Sequence, residues 1–218
     1  MLRLFAAGCF FGGDFVDYLK YIVEEIHSTV IATTDDKGLP VTCAIDIMDY
    51  DDNSLYFLTA RGKNFYKRLK NRNYLALTGM KGSDTMSCVA VSVRGRVREL
   101  GSELVPRLFE KNKYMFEIYP NKKSQEALTV FQIYEGSGEW FDLSVKPIER
   151  ASFSFGNTEN VQRGYFINQN CTGCGLCTEK CPTKCIDLSK ILAKINQKNC
   201  LHCGNCLSVC PFNAVYNV

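Results

Sequence analysis

Eight cysteines near the C-terminus fall into two matching runs, and they constrain this chain more than any other feature. The first run is Cys171, Cys174, Cys177, Cys181, followed by Pro182; the second is Cys200, Cys203, Cys206, Cys210, followed by Pro211. Both read C-x-x-C-x-x-C-x-x-x-C-P. A C-x-x-C-x-x-C loop is short enough to wrap three thiolates around one corner of an iron–sulfur cube. The fourth cysteine lies too far along to close the same cube and ligates the other one. The expected ligand sets are therefore Cys171, Cys174, Cys177 and Cys210 for one [4Fe–4S] cluster, and Cys200, Cys203, Cys206 and Cys181 for the other. The two runs belong to one internal repeat, in which Cys171 to Ile186 superposes on Cys200 to Val215. Gly175 and Gly204 match within it and let backbone pass close to a cluster. Cys185 falls where the second copy has Ala214, and reads as a small buried residue beside a cluster rather than a ninth ligand.

Structural zinc usually pairs two C-x-x-C knuckles for four ligands. Three cysteines per loop plus a distant fourth, twice over, fits zinc poorly. A disulfide framework fits less well still, because no convincing signal peptide is present. The last fifty or so residues resemble bacterial ferredoxins with two [4Fe–4S] clusters. That resemblance implies two short hairpins and two short helices around the clusters, acting as a one-electron carrier.

The remaining three-quarters of the 218 residues is long enough for a core of its own. Lys and Arg exceed Asp and Glu by three; two oxidised clusters, roughly −2 each with their thiolates, would bring that to about −1. No long Lys/Arg run suggests a nucleic-acid partner. No apolar stretch approaches about 18 residues, so no membrane span is expected. Reduced cysteines in cluster spacing point to the cytoplasm, and oxygen-labile clusters to an anaerobe. Cys9, Cys43 and Cys88 are scattered and read as small core residues by default.

Residues 1–15 are apolar and glycine-containing. Ala6-Ala7-Gly8-Cys9 resembles a lipoprotein cleavage box, but the apolar stretch before Cys9 is shorter than the ordinary signal core of about 7–15 residues. The preferred reading is an upstream extension, with translation beginning near Val16 and Gly12-Gly13 as a ribosome-binding sequence read as codons. An intact Met1 on the native protein would overturn it.

From Phe15 to Ile26 apolar residues recur at helical spacing. Strands are expected over Ser28 to Thr34, Leu39 to Met48 and Leu55 to Thr59, with turns at Asp35-Asp36-Lys37-Gly38 and Asp51-Asp52-Asn53. A helix is expected over Gly62 to Asn71, strands over Tyr74 to Met80 and Ser87 to Leu100, and a helix over Leu104 to Lys113. A hairpin is expected from Thr129 to Tyr134 and Glu139 to Leu143 around Gly136-Ser137-Gly138, then a last strand over Ala151 to Phe155. This meander excludes a βαβ dinucleotide fold and predicts a mainly β, α+β architecture: a barrel of six or more strands with peripheral helices. The expected division is 16–155 for the barrel, 156–164 for a polar linker and 165–218 for the cluster domain. Thr59, Arg61, Gly62, Lys63 and Asn64 gather a hydroxyl and two cations at a helix N-terminus, a combination that suits phosphate.

Thr29-Val30-Ile31-Ala32-Thr33 through Leu77-Thr78, Val93-Arg94-Gly95, and Gly138-Glu139-Trp140-Phe141-Asp142-Leu143 together resemble the pyridoxamine 5′-phosphate oxidase-like split-barrel family, over roughly Tyr18 to Phe155. The resemblance implies a six-stranded split barrel, a homodimer, and FMN at the dimer interface. By position, Val41, Thr42, Cys43 and Ala44 would run along the isoalloxazine, and Leu58 and Thr59 would lie near the ribityl chain. Lys63 and Asn64, helped by Arg61, would hold the phosphate, and Trp140 would stand near the flavin. The arginine-rich C-terminal signature of true pyridoxamine phosphate oxidases is missing, and O₂-dependent chemistry sits badly beside oxygen-labile clusters.

Together these readings predict an FMN-dependent oxidoreductase that converts between the one-electron chemistry of two clusters and the two-electron chemistry of a flavin. It would act on a small organic acceptor, with a ferredoxin, flavodoxin or reductase as redox partner. The alternatives are an electron carrier or redox sensor with no substrate of its own, its barrel serving for dimerisation, and a barrel that holds haem or a deazaflavin in place of FMN. With only His27 and His202 in the chain, a histidine acid–base role has few candidates; His27 reads as a helix-end residue and His202 as part of a cluster's surroundings. Tyr114, Tyr119 and Tyr134 are possible proton donors, though packing explains them as well.

Overall fold

The computed structural model describes residues 17–159 and 161–218. The expected N-terminal extension, the start near Val16 and the Cys9 box lie outside the described residues.

The chain enters through α1, Tyr18–Tyr21, whose N-cap Asp17 accepts from the Lys20 N–H at 3.0 Å. It continues as a π-turn over Ile22–Ile26 and stops at His27, whose φ of 62° no helix can continue. Next come β1, Ser28–Thr34, and β2, Pro40–Asp46, paired antiparallel with Val30 opposite Ala44. The turn between them is closed by the Asp35 carboxylate, which accepts from the N–H groups of Lys37 and Leu39. The single strand expected to Met48 ends at Asp46, and β3, Asp49–Asp51, is separate. Then follow β4, Ser54–Ala60; α2, Asn64–Arg72; β5, Tyr74–Lys81; and β6, Val89–Gly101. Helix α2 ends at Asn73, in the left-handed conformation that asparagine tolerates at a helix end. Three helices follow: α3, Val105–Lys111; α4, Met115–Ile118; and α5, Lys122–Gln125. Only the first of them was expected. Strands β7, Leu128–Asp142, and β8, Glu149–Phe155, complete the barrel.

These strands form one sheet in the order β2-β1-β5-β6-β7-β4-β3, with β8 pairing β7. The architecture is mainly β with peripheral helices, as a split barrel requires. The hairpin expected around Gly136–Gly138 is absent: β7 runs straight through these glycines, and its return is at β8. Close packing, not turning, needs them. A Cβ on Gly136 would stand 2.5 Å from Arg94 O, and one on Gly138 would stand 2.3 Å from the Phe153 ring.

Burial divides the sheet. Strand β4 is buried almost throughout, and so are the first six residues of β7. Phe57 stacks on Phe131 at 5.7 Å on one side, while Val105, Leu108, Phe109 and Met115 cover Tyr56, Leu128 and Val130 on the other. Strands β1, β5 and β6 instead alternate, and one face of them is left open. Ser28, Val30, Thr42, Ala44, Ala76, Thr78 and Ser92 are exposed on these strands and β2.

The C-terminal segment contains β9, Tyr165–Ile167; α6, Leu176–Lys180; β10, Ile186–Asp187; β11, Lys194–Ile195; α7, Asn205–Ser208; and β12, Val215–Asn217. β10 and β11 make a hairpin, whereas β9 pairs with β12 and ties the two ends of the segment together. By internal packing the chain forms two compact units. One holds the described residues to Lys81, Ala90–Gly138 and Phe153–Glu159; the other holds Gly82–Val89, Glu139–Ser152 and the described residues from 161 onward. Among the described residues no helix is long and apolar enough to cross a membrane.

Candidate functional site

The cysteine repeat folds as a repeat. Gly175 and Gly204 both adopt left-handed backbone, φ 84° and 78°, as N-caps of α6 and α7. Gly173 matches His202, and Lys184 matches Asn213, each pair again left-handed. Such turns let each loop fold back, so that its three thiols share one cavity wall.

Two cavities result. The first is lined by Cys171, Cys174, Cys177 and Cys210, closed by Ile167, Leu188, Phe212 and Val215. The second is lined by Cys200, Cys203, Cys206 and Cys181, with Cys185, Ile186 and Ile195. Each therefore draws three thiols from one run and the fourth from the other, the crossed grouping expected from the spacing. The thiols line walls rather than a point: among the described residues no three Cys, His, Asp or Glu side chains converge as they would on a single ion. A cube held at its corners asks for such walls.

The electrostatics favour ligand sulfurs unequally. Cys185 hydrogen-bonds Cys200 and, against the cost of burial, pulls its thiol down to about 7. Burial opposes the Cys210 thiolate, yet the backbone N–H groups of Ala214, Phe212 and Val215 bring it below the ordinary range. Cys177 and Cys206, equivalent in the repeat, are both pushed up, chiefly by burial.

The second group lies in the barrel. Val41, Thr42, Cys43 and Ala44 sit on β2, at the sheet's edge, opposite Thr33, Ala32, Ile31 and Val30. Burial pushes the Cys43 thiol up, while the positive charges of Arg68 and Lys63 pull it down. Arg68 Nε donates to Thr33 Oγ1 at 2.8 Å. Sequence reasoning missed Arg68; its signal was helical spacing, one turn beyond Asn64. Arg61 is committed elsewhere, donating to Glu126 O at 2.8 Å with Glu99 at 3.9 Å. Lys63 and Asn64 are exposed. Thr59 is 2 % exposed, and its hydroxyl has no hydrogen-bond partner. Leu58 projects oppositely, against the α3 cluster. Trp140 is buried and belongs to the second compact unit.

An orphaned buried hydroxyl on the strand that leads into α2, an exposed lysine at the start of that helix and an edge strand are groups that suit a phosphorylated ligand. Residues 15–137 match the family model of pyridoxamine 5′-phosphate oxidase, and the chain belongs to that family. Residues 170–214 match a 4Fe-4S dicluster domain. The chain is thus a split-barrel protein of the flavin-binding type that carries an iron–sulfur domain, a combination that suggests a redox role.

Several solved structures resemble the chain at low sequence identity. A NimC/NimA family protein from Clostridium acetobutylicum is 16 % identical, with 61 % of this chain and 88 % of that one covered and a TM-score of 0.50. A pyridoxamine 5′-phosphate oxidase-related, FMN-binding protein from Nostoc punctiforme is 13 % identical, with 65 % and 88 % covered and a TM-score of 0.46. A haem-binding protein from Mycobacterium smegmatis is 9 % identical, with 62 % and 56 % covered and a TM-score of 0.48. No curated protein matches the chain.

Proposed function

We propose that this chain is an FMN-dependent oxidoreductase that passes electrons between two [4Fe–4S] clusters and a small organic acceptor. The observation that carries the reading is the pairing, in one polypeptide, of two crossed four-cysteine cavities with a phosphate-suited cradle on a flavin-binding fold. When bound, FMN exchanges one or two electrons and each cluster exchanges one.

The chain's own residues divide the work. Cys171, Cys174, Cys177 and Cys210 hold one cube; Cys200, Cys203, Cys206 and Cys181 hold the other. Lys63 and the free N–H groups at the start of α2 take the phosphate dianion, with Asn64 beside them. Arg68 adds positive charge, and Arg61, engaged with Glu126 and Glu99, braces the loop. The Thr59 hydroxyl gains the partner it lacks. Val41 to Ala44 supply an edge for the ring system, with Leu58 behind the sheet.

The open face of β1, β2 and β5 suits a second copy of the chain: its small side chains permit close approach, and Val30, Tyr74 and Met80 stand 46–65 % exposed. A homodimer would cover it and enclose the flavin. From Tyr165 onward the chain carries Lys180, Lys184, Lys190, Lys194 and Lys198 against Glu179 and Asp187. Leu176, Ile191, Leu192 and Phe212 are exposed there. The exposed lysines and apolar residues of this segment, rather than its net charge once two clusters are bound, fit a one-electron carrier, a ferredoxin or flavodoxin, in the cytoplasm of an anaerobe.

Anaerobic purification with iron, sulfide and extracted-flavin quantification tests the reading. About eight irons and one FMN per chain, with flavin reduction by a reduced ferredoxin, is the expected result. Full iron with no flavin would leave an electron carrier or sensor instead, and zinc in place of iron would end the cluster reading.

A further inference from the structure

The repeat is broken at one position of chemical weight. Cys185 stands in the first copy where Ala214 stands in the second, and both are buried, 8 % and 1 % exposed. Cys185 Sγ lies 3.5 Å from Cys181 Sγ, a hydrogen-bond contact. Cys181, Cys185 and Cys200 all line the second cavity. Eight other cysteines already supply four walls to each cavity, so this ninth thiol is left over. The first cavity has no thiol at the matching place, only the methyl group of Ala214.

Cluster ligation needs thiolates, while a thiol outside the ligand set keeps its proton at neutral pH. Its S–H then faces sulfurs that carry negative charge, a donor against charged acceptors. We propose that Cys185 tunes the second cluster, donating its S–H to the ligand sulfur of Cys181 and raising that cluster's reduction potential. The inference rests on the two-cluster reading above.

The sign follows from charge. Reduction adds one negative charge to the cube and its sulfurs, and a hydrogen-bond donor stabilises the reduced form more than the oxidised one. Burial acts in the opposite direction. Three ligands of the second cavity, Cys181, Cys200 and Cys206, are buried, whereas Cys171, Cys177 and Cys210 of the first are partly exposed; the equivalent Cys174 and Cys203 are both exposed. A drier site disfavours added charge. Cys185 offsets that penalty at the cluster that suffers it more, and keeps the two potentials close enough for electrons to cross between them.

The test is an anaerobic redox titration of the full-length, cluster-loaded protein, followed by electron paramagnetic resonance, with iron counted on every sample. Cys185→Ala installs the residue the second copy uses. It should keep full iron while the potential of one cluster falls and the other stays. Cys185→Ser, whose hydroxyl still donates, should bring that potential back towards the wild-type value. Ala214→Cys, read independently, should raise the potential of the other cluster. Unchanged potentials in Cys185→Ala and Ala214→Cys overturn the proposal. So does the loss of half the iron in both Cys185→Ala and Cys185→Ser, which would make Cys185 a ligand. Iron missing from the unaltered protein would instead sink the two-cluster reading, and would be seen before any variant is compared.

Discussion

His202 and Gly173 occupy the same step of the two ligand loops and share a left-handed backbone, φ 55° and 73°. Glycine adopts this conformation at no steric cost, whereas a side chain with a branched Cβ does not. The His202 ring also leaves Nε2 buried without a partner. His202→Gly should therefore hold or raise the melting temperature and keep full iron. His202→Val should destabilise the domain by about 1–2 kcal/mol and lose iron on dilution. Equal behaviour of the two variants would show that the loop relaxes, and that the backbone does not select the residue here.

Thr59 separates the free from the ligand-loaded barrel. Its buried hydroxyl lacks a partner, so Thr59→Val, nearly the same shape, should make the flavin-free protein slightly more stable. The same change should weaken FMN binding, and Lys63→Ala should weaken it more, by roughly ten- to a hundredfold for a lost charge-assisted contact. Thermal melts with and without FMN, beside fluorescence titration, read both effects. A Thr59→Val variant less stable without flavin would remove the hydroxyl from the site.

Gly138 and Gly62 make an internal control. A Cβ on Gly138 would press on the Phe153 ring, which is itself stacked on Tyr18 at 4.5 Å and has nowhere to retreat. Gly62 has open space around it. Gly138→Ala should cost about 1–3 kcal/mol by overpacking, and Gly62→Ala close to nothing, in urea denaturation followed by circular dichroism.

The same glycines explain what the sequence hid. Gly136-Ser137-Gly138 carries the composition of a turn, and composition alone cannot tell a turn from a strand whose neighbours approach too closely for a Cβ. The difference lies in Arg94, Phe153 and Phe155, far away in the chain. The cluster cavities were legible because their information is local: three ligands within seven residues, repeated. The crossed grouping of the fourth cysteines along the two cavities follows from the same spacing, since reach along a chain is arithmetic. In the barrel, Lys63 was visible beside its helix, but Arg68 acquired meaning only when α2 was laid against Thr33 on β1. The cover of α3 over β4 and β7 is likewise a tertiary fact.

Glu99 gives the barrel an acid-sensitive point. Burial favours its neutral form, but Lys70 at 2.9 Å, Thr129 at 2.7 Å and Tyr66 at 3.2 Å outweigh it and hold the carboxyl below its ordinary value. A carboxylate with a lowered folded value contributes stability above its unfolded value, near 4.3, and loses it as the pH falls through the folded one. Glu99→Gln should therefore be less stable than wild type at pH 7, and the gap should close below pH 4. Urea midpoints across that range check it, and a gap independent of pH would assign the loss to packing.

Cys181 and Cys210 carry the crossed arrangement, and substituting them distinguishes it from two self-contained loops. If each run closed its own cube, Cys210→Ala would damage the same spectroscopic signal as Cys203→Ala. The cavity walls place Cys210 with Cys174 and Cys181 with Cys203. Cys210→Ala and Cys174→Ala should therefore perturb one cluster, and Cys181→Ala and Cys203→Ala the other, each with up to half of the iron lost. The crossing also binds the domain together, because α6 leads into one cavity's fourth ligand and α7 into the other's. Loss of either cysteine should then loosen both loops at once, and hydrogen exchange should rise at β9 and β12 as well as at the damaged site. Protection lost around one loop alone would mean that the two halves of the repeat fold independently.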